Sequence, residues 1–133
     1  DTMPVERHRE LIAERTSWVA TDHLDRPIAF LSAQIHGDAL HIWEFAVRCD
    51  RQGSGIGRAM LKTAIGDART RDLRAVTLTT FRDVGWNAPF YVKLGFRTLD
   101  AAEMEERLAE ALRREARRGL PVEKRCAMRL VLL

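Results

Sequence analysis

Gly53, Gly55 and Gly57 stand at alternate positions within Arg51-Gln52-Gly53-Ser54-Gly55-Ile56-Gly57-Arg58-Ala59-Met60, a spacing that suits a backbone cradle for an anion. Glycine has no Cβ, so the chain can come close to a ligand and turn successive N–H groups toward one point. An apolar run, Leu40 to Val47, precedes the decapeptide and a helical pattern follows it. The loop therefore leads into a helix N-terminus, whose unpaired first-turn donors and dipole add to the grip on a phosphate. Two familiar phosphate loops do not fit. A dinucleotide fingerprint needs its third glycine where Arg58 stands, and no Gly-Lys-Ser/Thr triplet is present for a nucleotide P-loop.

The elements that must hold this loop can be followed along the chain. Pro4 to Glu14 reads as a weakly amphipathic helix and Ser17 to Thr21 as a short strand. After the polar turn cluster Asp22 to Pro27 come two strands, Ile28 to His36 and Ala39 to Val47, joined by the two-residue turn Gly37-Asp38. Beyond the loop, Ile56, Met60, Leu61, Ala64, Ile65 and Ala68 repeat at helical spacing to about Arg71. Ala75 to Thr80 is a β-branched strand, and strand, helix, strand in succession predicts a right-handed crossover to a parallel neighbour. Asn87 caps a short helix with Pro89 in its first turn and Gly95 at its stop. Phe96 to Leu99 resumes a strand. Ala101 to Arg118 is a helix with Met104, Leu108, Ala111 and Leu112 on one face and spaced ion pairs, Glu103 with Arg107 and Glu110 with Arg114, on the other. Gly119 and Pro121 end it, and Cys126 to Leu132 is an alternating strand that returns beside Phe96.

Composition bounds the function classes. The 133 residues, 46% hydrophobic and 31% charged, fit one domain able to bury a core without disulfides or metals. No apolar run is long enough to cross a bilayer and no signal peptide is visible, so no membrane partner is expected. Cys49 and Cys126 share no metal-ligand spacing, which predicts reduced thiols and a cytoplasmic location. The net charge of +3 is interleaved with acids and not gathered into an arm, which argues against nucleic acid. His8, His23, His36 and His41 show no ligand spacing, and no metal is expected.

Two blocks, in order and separated by a strand, resemble the GNAT superfamily of acyl-CoA N-acyltransferases. Gln52-Gly53-Ser54-Gly55-Ile56-Gly57 matches the family's Gln/Arg-x-x-Gly-x-Gly/Ala loop. Asn87-Ala88-Pro89-Phe90-Tyr91-Val92-Lys93-Leu94-Gly95-Phe96 matches the Tyr-x-Lys-x-Gly-Phe-like end of its Asn-x-x-x-x-x-Tyr-x-Lys-x-Gly-Phe-like segment, with three residues between Asn87 and Tyr91 where that pattern has five. The resemblance implies an α/β (α+β) fold with a mixed, mostly antiparallel central sheet flanked by helices and a splayed parallel pair in its middle. It implies acetyl-CoA as co-substrate, with its pyrophosphate on the loop and its pantetheine arm between the diverging ends of the Leu40 and Ala75 strands. Phe45, Ala46 and Val47 would offer the arm backbone groups, and the Val47 N–H would polarise the thioester carbonyl.

Acetyl transfer to an amine needs a neutral nucleophile, a polarised thioester and a proton for the departing thiolate. Tyr91, the sole tyrosine, matches the family's general acid. With ordinary pKa values, protonating a thiolate from a phenol is uphill by only about 2 kcal/mol. An amphipathic tyrosine that packs its ring is the bland alternative. Glu44 interrupts an apolar strand and is the candidate for deprotonating the ammonium, against a glutamate on a solvated face. Asn87 would cap its helix and hydrogen-bond the cofactor, Arg58 in the helix's first turn and Arg51, which both flank the loop, would neutralise phosphate, and Gln52 would shape the loop through its backbone. Trp86 lies near enough to Asn87 to line an acceptor pocket, and Cys49 reads as a small buried residue.

The chain departs from the family pattern at its front. The expected first strand has no counterpart ahead of Ser17, and Asp1 is not an initiator methionine, so the chain is expected to be truncated at its N-terminal end. A sheet lacking that strand would leave the Ser17 strand as an open edge, which a further segment or a second subunit, as in a homodimer, would cover. The leading function is an N-acetyltransferase transferring acetyl from acetyl-CoA to a primary amine by direct attack in a ternary complex. The alternative is a non-catalytic acyl-CoA-binding or sensing domain, and a basic nucleic-acid module is a third.

Overall fold

Alternation of apolar residues from Pro27 to Val47 makes a hairpin whose turn is set by Gly37, at φ 58°, a conformation glycine adopts without a Cβ penalty. The computed structural model describes residues 15–82, 88–119 and 124–132. The helix expected over Pro4 to Glu14 lies outside them, as do Trp86 and Asn87. Two units follow one another, Asp1–Arg74 and Ala75–Leu133.

In the first unit, β1 (Ser17–Thr21), β2 (Pro27–His36) and β3 (Ala39–Val47) form an antiparallel meander. A 3-10 turn, Cys49–Arg51, precedes α1 (Ile56–Thr70). Ala29, Leu31 and Ala33 on β2 and Leu40, Ile42 and Val47 on β3 are buried. Gly57, Met60, Leu61, Ala64, Ile65 and Ala68 form the buried stripe of α1, which packs on these strands. Each fully buried aliphatic side chain contributes about 1.5–3 kcal/mol relative to exposure. The hairpin register slips between Ser32 and Ala33, so Ser32 faces Glu44 while Ala33 faces Ile42. Trp43 is the extra residue of a β-bulge, which bends β3 just before its last turn of residues.

In the second unit, β4 (Ala75–Phe81) pairs antiparallel with β6 (Arg125–Val131), which pairs antiparallel with β5 (Arg97–Thr98). The return of the last strand beside the Phe96 segment is as the sequence predicts. Two helices accompany them, α2 (Ala88–Lys93) and α3 (Glu106–Arg117). Leu99, Leu108 and Ala127 form a buried cluster with Met104 and Leu112 against it.

The helix expected from Ala101 begins five residues later. Asp100 Oδ1 accepts the Glu103 N–H at 3.0 Å and Glu103 Oε1 accepts the Asp100 N–H at 3.3 Å. This reciprocal pair closes a local turn, and the chain extends at Glu105 (φ −64°, ψ 151°) before the helix starts. Glu103 is consequently off the helix and pairs with Arg97. Its expected partner, Arg107, turns inward and donates to Thr77 Oγ1 at 3.2 Å. The Glu110 to Arg114 pair forms as expected, at 3.7 Å.

Candidate functional site

The glycine loop has the conformation its sequence demands. Gly53 and Gly55 take φ of 80° and 89°, which cost a side-chain-bearing residue about 1–2 kcal/mol. A Cβ built on either would meet no heavy atom within 4 Å. Glycine is therefore required at both by backbone conformation, and the same side of the loop is open to a ligand. Gly55 is the N-cap of α1 and carries no side-chain cap. The first intrahelical bond runs from the Ala59 N–H to the Gly55 carbonyl, 3.0 Å, so the N–H groups of Ile56, Gly57 and Arg58 precede the helical ladder. The Ser54 hydroxyl donates to the Arg51 carbonyl and is thereby turned from the helix end. Three backbone donors at the positive end of a 15-residue helix fit a phosphate group. The donor set fits a pyrophosphate-bearing ligand of the CoA type.

The strand that feeds the loop presents backbone in a fixed order. The Arg48 N–H donates to the Ile28 carbonyl at 2.8 Å, and in antiparallel pairing N–H and C=O groups alternate in direction along a strand. With Ala46 opposite Phe30 and Val47 opposite Ala29, Ala46 directs its backbone groups toward β2. Phe45 and Val47 direct theirs away from it. The Val47 carbonyl on that outward side accepts the Gln52 side-chain amide at 3.1 Å. The Gln52 side chain thus ties the loop to the end of β3. Glu44 is half-buried opposite Ser32, immediately after the bulged Trp43.

Tyr91 sits on α2, in the second unit, 8% exposed. The helix ends in a Schellman arrangement: the Phe96 N–H reaches the Tyr91 carbonyl at 3.1 Å and the Gly95 N–H the Val92 carbonyl at 3.0 Å, with Gly95 at φ 100°. The Tyr91 and Phe96 rings meet edge to face at 5.5 Å, the apolar contact that accompanies this cap. Burial pushes the phenol up to about 12, since the phenolate would be poorly solvated.

The model of the acetyltransferase (GNAT) family matches residues 1–96. The chain belongs to the GNAT acetyltransferase family. Solved structures of the same fold include N-acetylglutamate synthase from Neisseria gonorrhoeae complexed with coenzyme A and N-acetyl-glutamate, 16% identical with a TM-score of 0.74 over 99% of this chain. This chain spans 28% of that synthase. The Mycobacterium tuberculosis protein Rv2747, in complex with CoA and NLQ, is 21% identical with a TM-score of 0.73, covering 98% of this chain and 83% of that one. PaiA N-acetyltransferase from Thermoplasma acidophilum, in complex with coenzyme A, is 14% identical with a TM-score of 0.68, covering 96% and 69%. At these identities the likeness shows the fold: mixed α/β, with a mostly antiparallel sheet flanked by helices.

Within this GNAT domain the remaining side chains sort by their surroundings. Arg58 is exposed in the first turn of α1. Cys49, expected to be buried, is exposed, and Cys126 is buried; the 3-10 turn lifts residue 49 off the end of β3. Among the described residues no group of three or more His, Cys, Asp and Glu could hold a metal ion, and no helix is long and apolar enough to cross a membrane. His41 is 1% exposed and stacks edge to face on Trp43 at 4.5 Å. Asp22, which opens the polar turn cluster between β1 and β2, has a side chain only 1% exposed. An aspartate opening a polar turn is the signal that marks such an anchor.

Proposed function

We propose that this chain is an acetyl-CoA-dependent N-acetyltransferase that transfers acetyl to a primary amine by direct attack in a ternary complex. The observation that carries the reading is the open glycine loop at the head of α1, in a chain of the GNAT family. The Ile56, Gly57 and Arg58 N–H groups take the pyrophosphate, with Arg58 adding charge. Phe45 and Val47 offer outward backbone groups to the pantetheine amides, and the Val47 N–H polarises the thioester carbonyl. Glu44, directly or through water, takes a proton from the acceptor's ammonium and leaves the neutral amine that attacks the thioester carbonyl.

Tyr91 supplies the proton for the departing thiolate. A phenol at about 12 remains protonated across the physiological range, but full transfer to a thiolate then costs about 5 kcal/mol instead of about 2. The phenol therefore acts chiefly as a hydrogen-bond donor to the leaving sulfur, releasing its proton only as negative charge builds there. Asn87 is kept as a cofactor contact on the resemblance alone. The site reads as cytoplasmic in chemistry: free thiols and a soluble co-substrate.

A non-catalytic acyl-CoA-binding domain is the second reading, favoured by the packing of Tyr91 into its own helix cap. Thiol release from acetyl-CoA across a panel of amino acids, polyamines and peptides separates the two. Amine-dependent release supports the transferase, and tight acetyl-CoA binding with no release on any amine supports the binding domain.

A further inference from the structure

Three arginines border the glycine loop, and their surroundings differ. Arg48 is held in a fork by Asp50, Nε to Oδ1 at 2.7 Å and Nη2 to Oδ2 at 3.0 Å. Its donors are answered within its own turn. Arg58 is exposed. Arg51 ends the 3-10 turn, with its backbone fixed on both sides: its N–H donates to the Arg48 carbonyl at 2.8 Å, and its carbonyl accepts the Ser54 hydroxyl. Its side chain, one third exposed, lies 3.9 Å from Asp22, Nη2 to Oδ2. That separation is attractive between opposite charges, yet too long for a hydrogen bond.

Asp22 is itself immobilised. Its Oδ1 accepts the Leu24 N–H at 2.8 Å and the Arg26 N–H at 3.1 Å, and its Oδ2 accepts Arg26 Nε at 2.9 Å. The Arg26 backbone N–H, with the Leu24 N–H and the guanidinium of Arg26, holds this carboxyl below the usual carboxylate range. A fixed negative charge thus draws the Arg51 guanidinium to one place without using its donors.

We propose that Asp22 is a positioning residue that holds Arg51 at the glycine loop so that Arg51 donates to a phosphate of the bound CoA. This rests on the reading above that the loop takes the CoA phosphates. The β1–β2 turn thereby contributes to cofactor affinity although none of its side chains touches the ligand, and Arg51 does what the Asp50 fork prevents Arg48 from doing.

Calorimetric titration with CoA, and with pantetheine as a ligand lacking phosphates, tests this on wild type, R51Q, R51K, D22N and the double variant D22N/R51Q. The expected result is an about tenfold weaker CoA affinity for R51Q and recovery to within about threefold by R51K. D22N alone weakens CoA about three- to fivefold, but by less than about twofold in the R51Q background, since Asp22 acts through Arg51. Pantetheine binding is the same throughout. Should D22N fail to fold, D22S, whose hydroxyl still accepts a turn N–H, is compared in the same two backgrounds. An unchanged CoA affinity in R51Q overturns the proposal while leaving the loop reading intact. So does an equal loss from the Asp22 change in both backgrounds, which would mark Asp22 as a turn anchor only. Failure of wild type to bind CoA would overturn both.

Discussion

The Gln52 side-chain amide donates to the Val47 carbonyl across 3.1 Å, joining the first residue of the glycine motif to the last residue of β3. This bond fixes where the loop leaves the strand, so the open N–H groups of α1 and the outward backbone of Val47 are held by one contact. Polar contact from a long side chain to a strand end is common, but here it spans the two halves of the proposed CoA grip.

Replacing Gln52 with alanine removes that tether. Loss of one such hydrogen bond corresponds to about 1 kcal/mol, and CoA affinity is expected to fall about fivefold by calorimetry. The same bond is present without ligand, so the melting temperature of the free protein should fall too, by about 3–5 °C for a domain of this size. A Gln52→Ala variant with wild-type CoA affinity would show that the tether does not set the loop.

Gly55 tests conformation against space. At φ 89° with no heavy atom within 4 Å of a Cβ, Gly55→Ala should lose about 1 kcal/mol of stability and most CoA affinity through backbone strain alone. Asparagine tolerates this region better, so Gly55→Asn should be the milder variant in both urea midpoint and CoA titration. Equal losses for the two would point to a blocked site, not a strained backbone.

Tyr91→Phe keeps the ring that packs on Phe96 and removes only the hydroxyl. Stability and acetyl-CoA affinity should persist while amine-dependent thiol release falls by about a hundredfold or more, the range of a lost general acid. Unchanged turnover across pH would remove Tyr91 from the chemistry and leave it as the apolar element of a helix cap.

Because Tyr91 is the sole tyrosine, its ionisation can be followed by absorbance at alkaline pH. A phenol raised to about 12 by burial ionises in the unfolded chain near about 10. The neutral form is favoured by the fold, so this contribution to stability is complete below about pH 10 and is lost as pH rises through about 12. Wild type should lose stability relative to Tyr91→Phe across that interval. A titration midpoint at about 10 in the folded protein would contradict the buried placement.

Most strands were legible because hairpin alternation, the Gly37-Asp38 turn and β-branched Ala75 to Thr80 all act locally. The α1 stripe was legible for the same reason. The start of α3 was not, since Asp100 and Glu103 satisfy each other in a turn before the chain extends at Glu105. In the site, glycine spacing disclosed the loop, while the side-chain bond of Gln52 and the burial of Asp22 depend on how β1, β2 and β3 meet in space. Tyr91 illustrates a doubled signal: its spacing to Gly95 and Phe96 is that of a helix cap and also that of a family motif, so the motif alone could not separate packing from chemistry.

If the loop before α1 grips CoA, amide chemical-shift mapping during a CoA titration will show it at the loop itself. The largest shifts are expected at Gly53 to Arg58, with Phe45 and Val47 moving and Ala46, directed toward β2, moving less. Saturating CoA that leaves the Gly53 to Arg58 amides unshifted would contradict that grip.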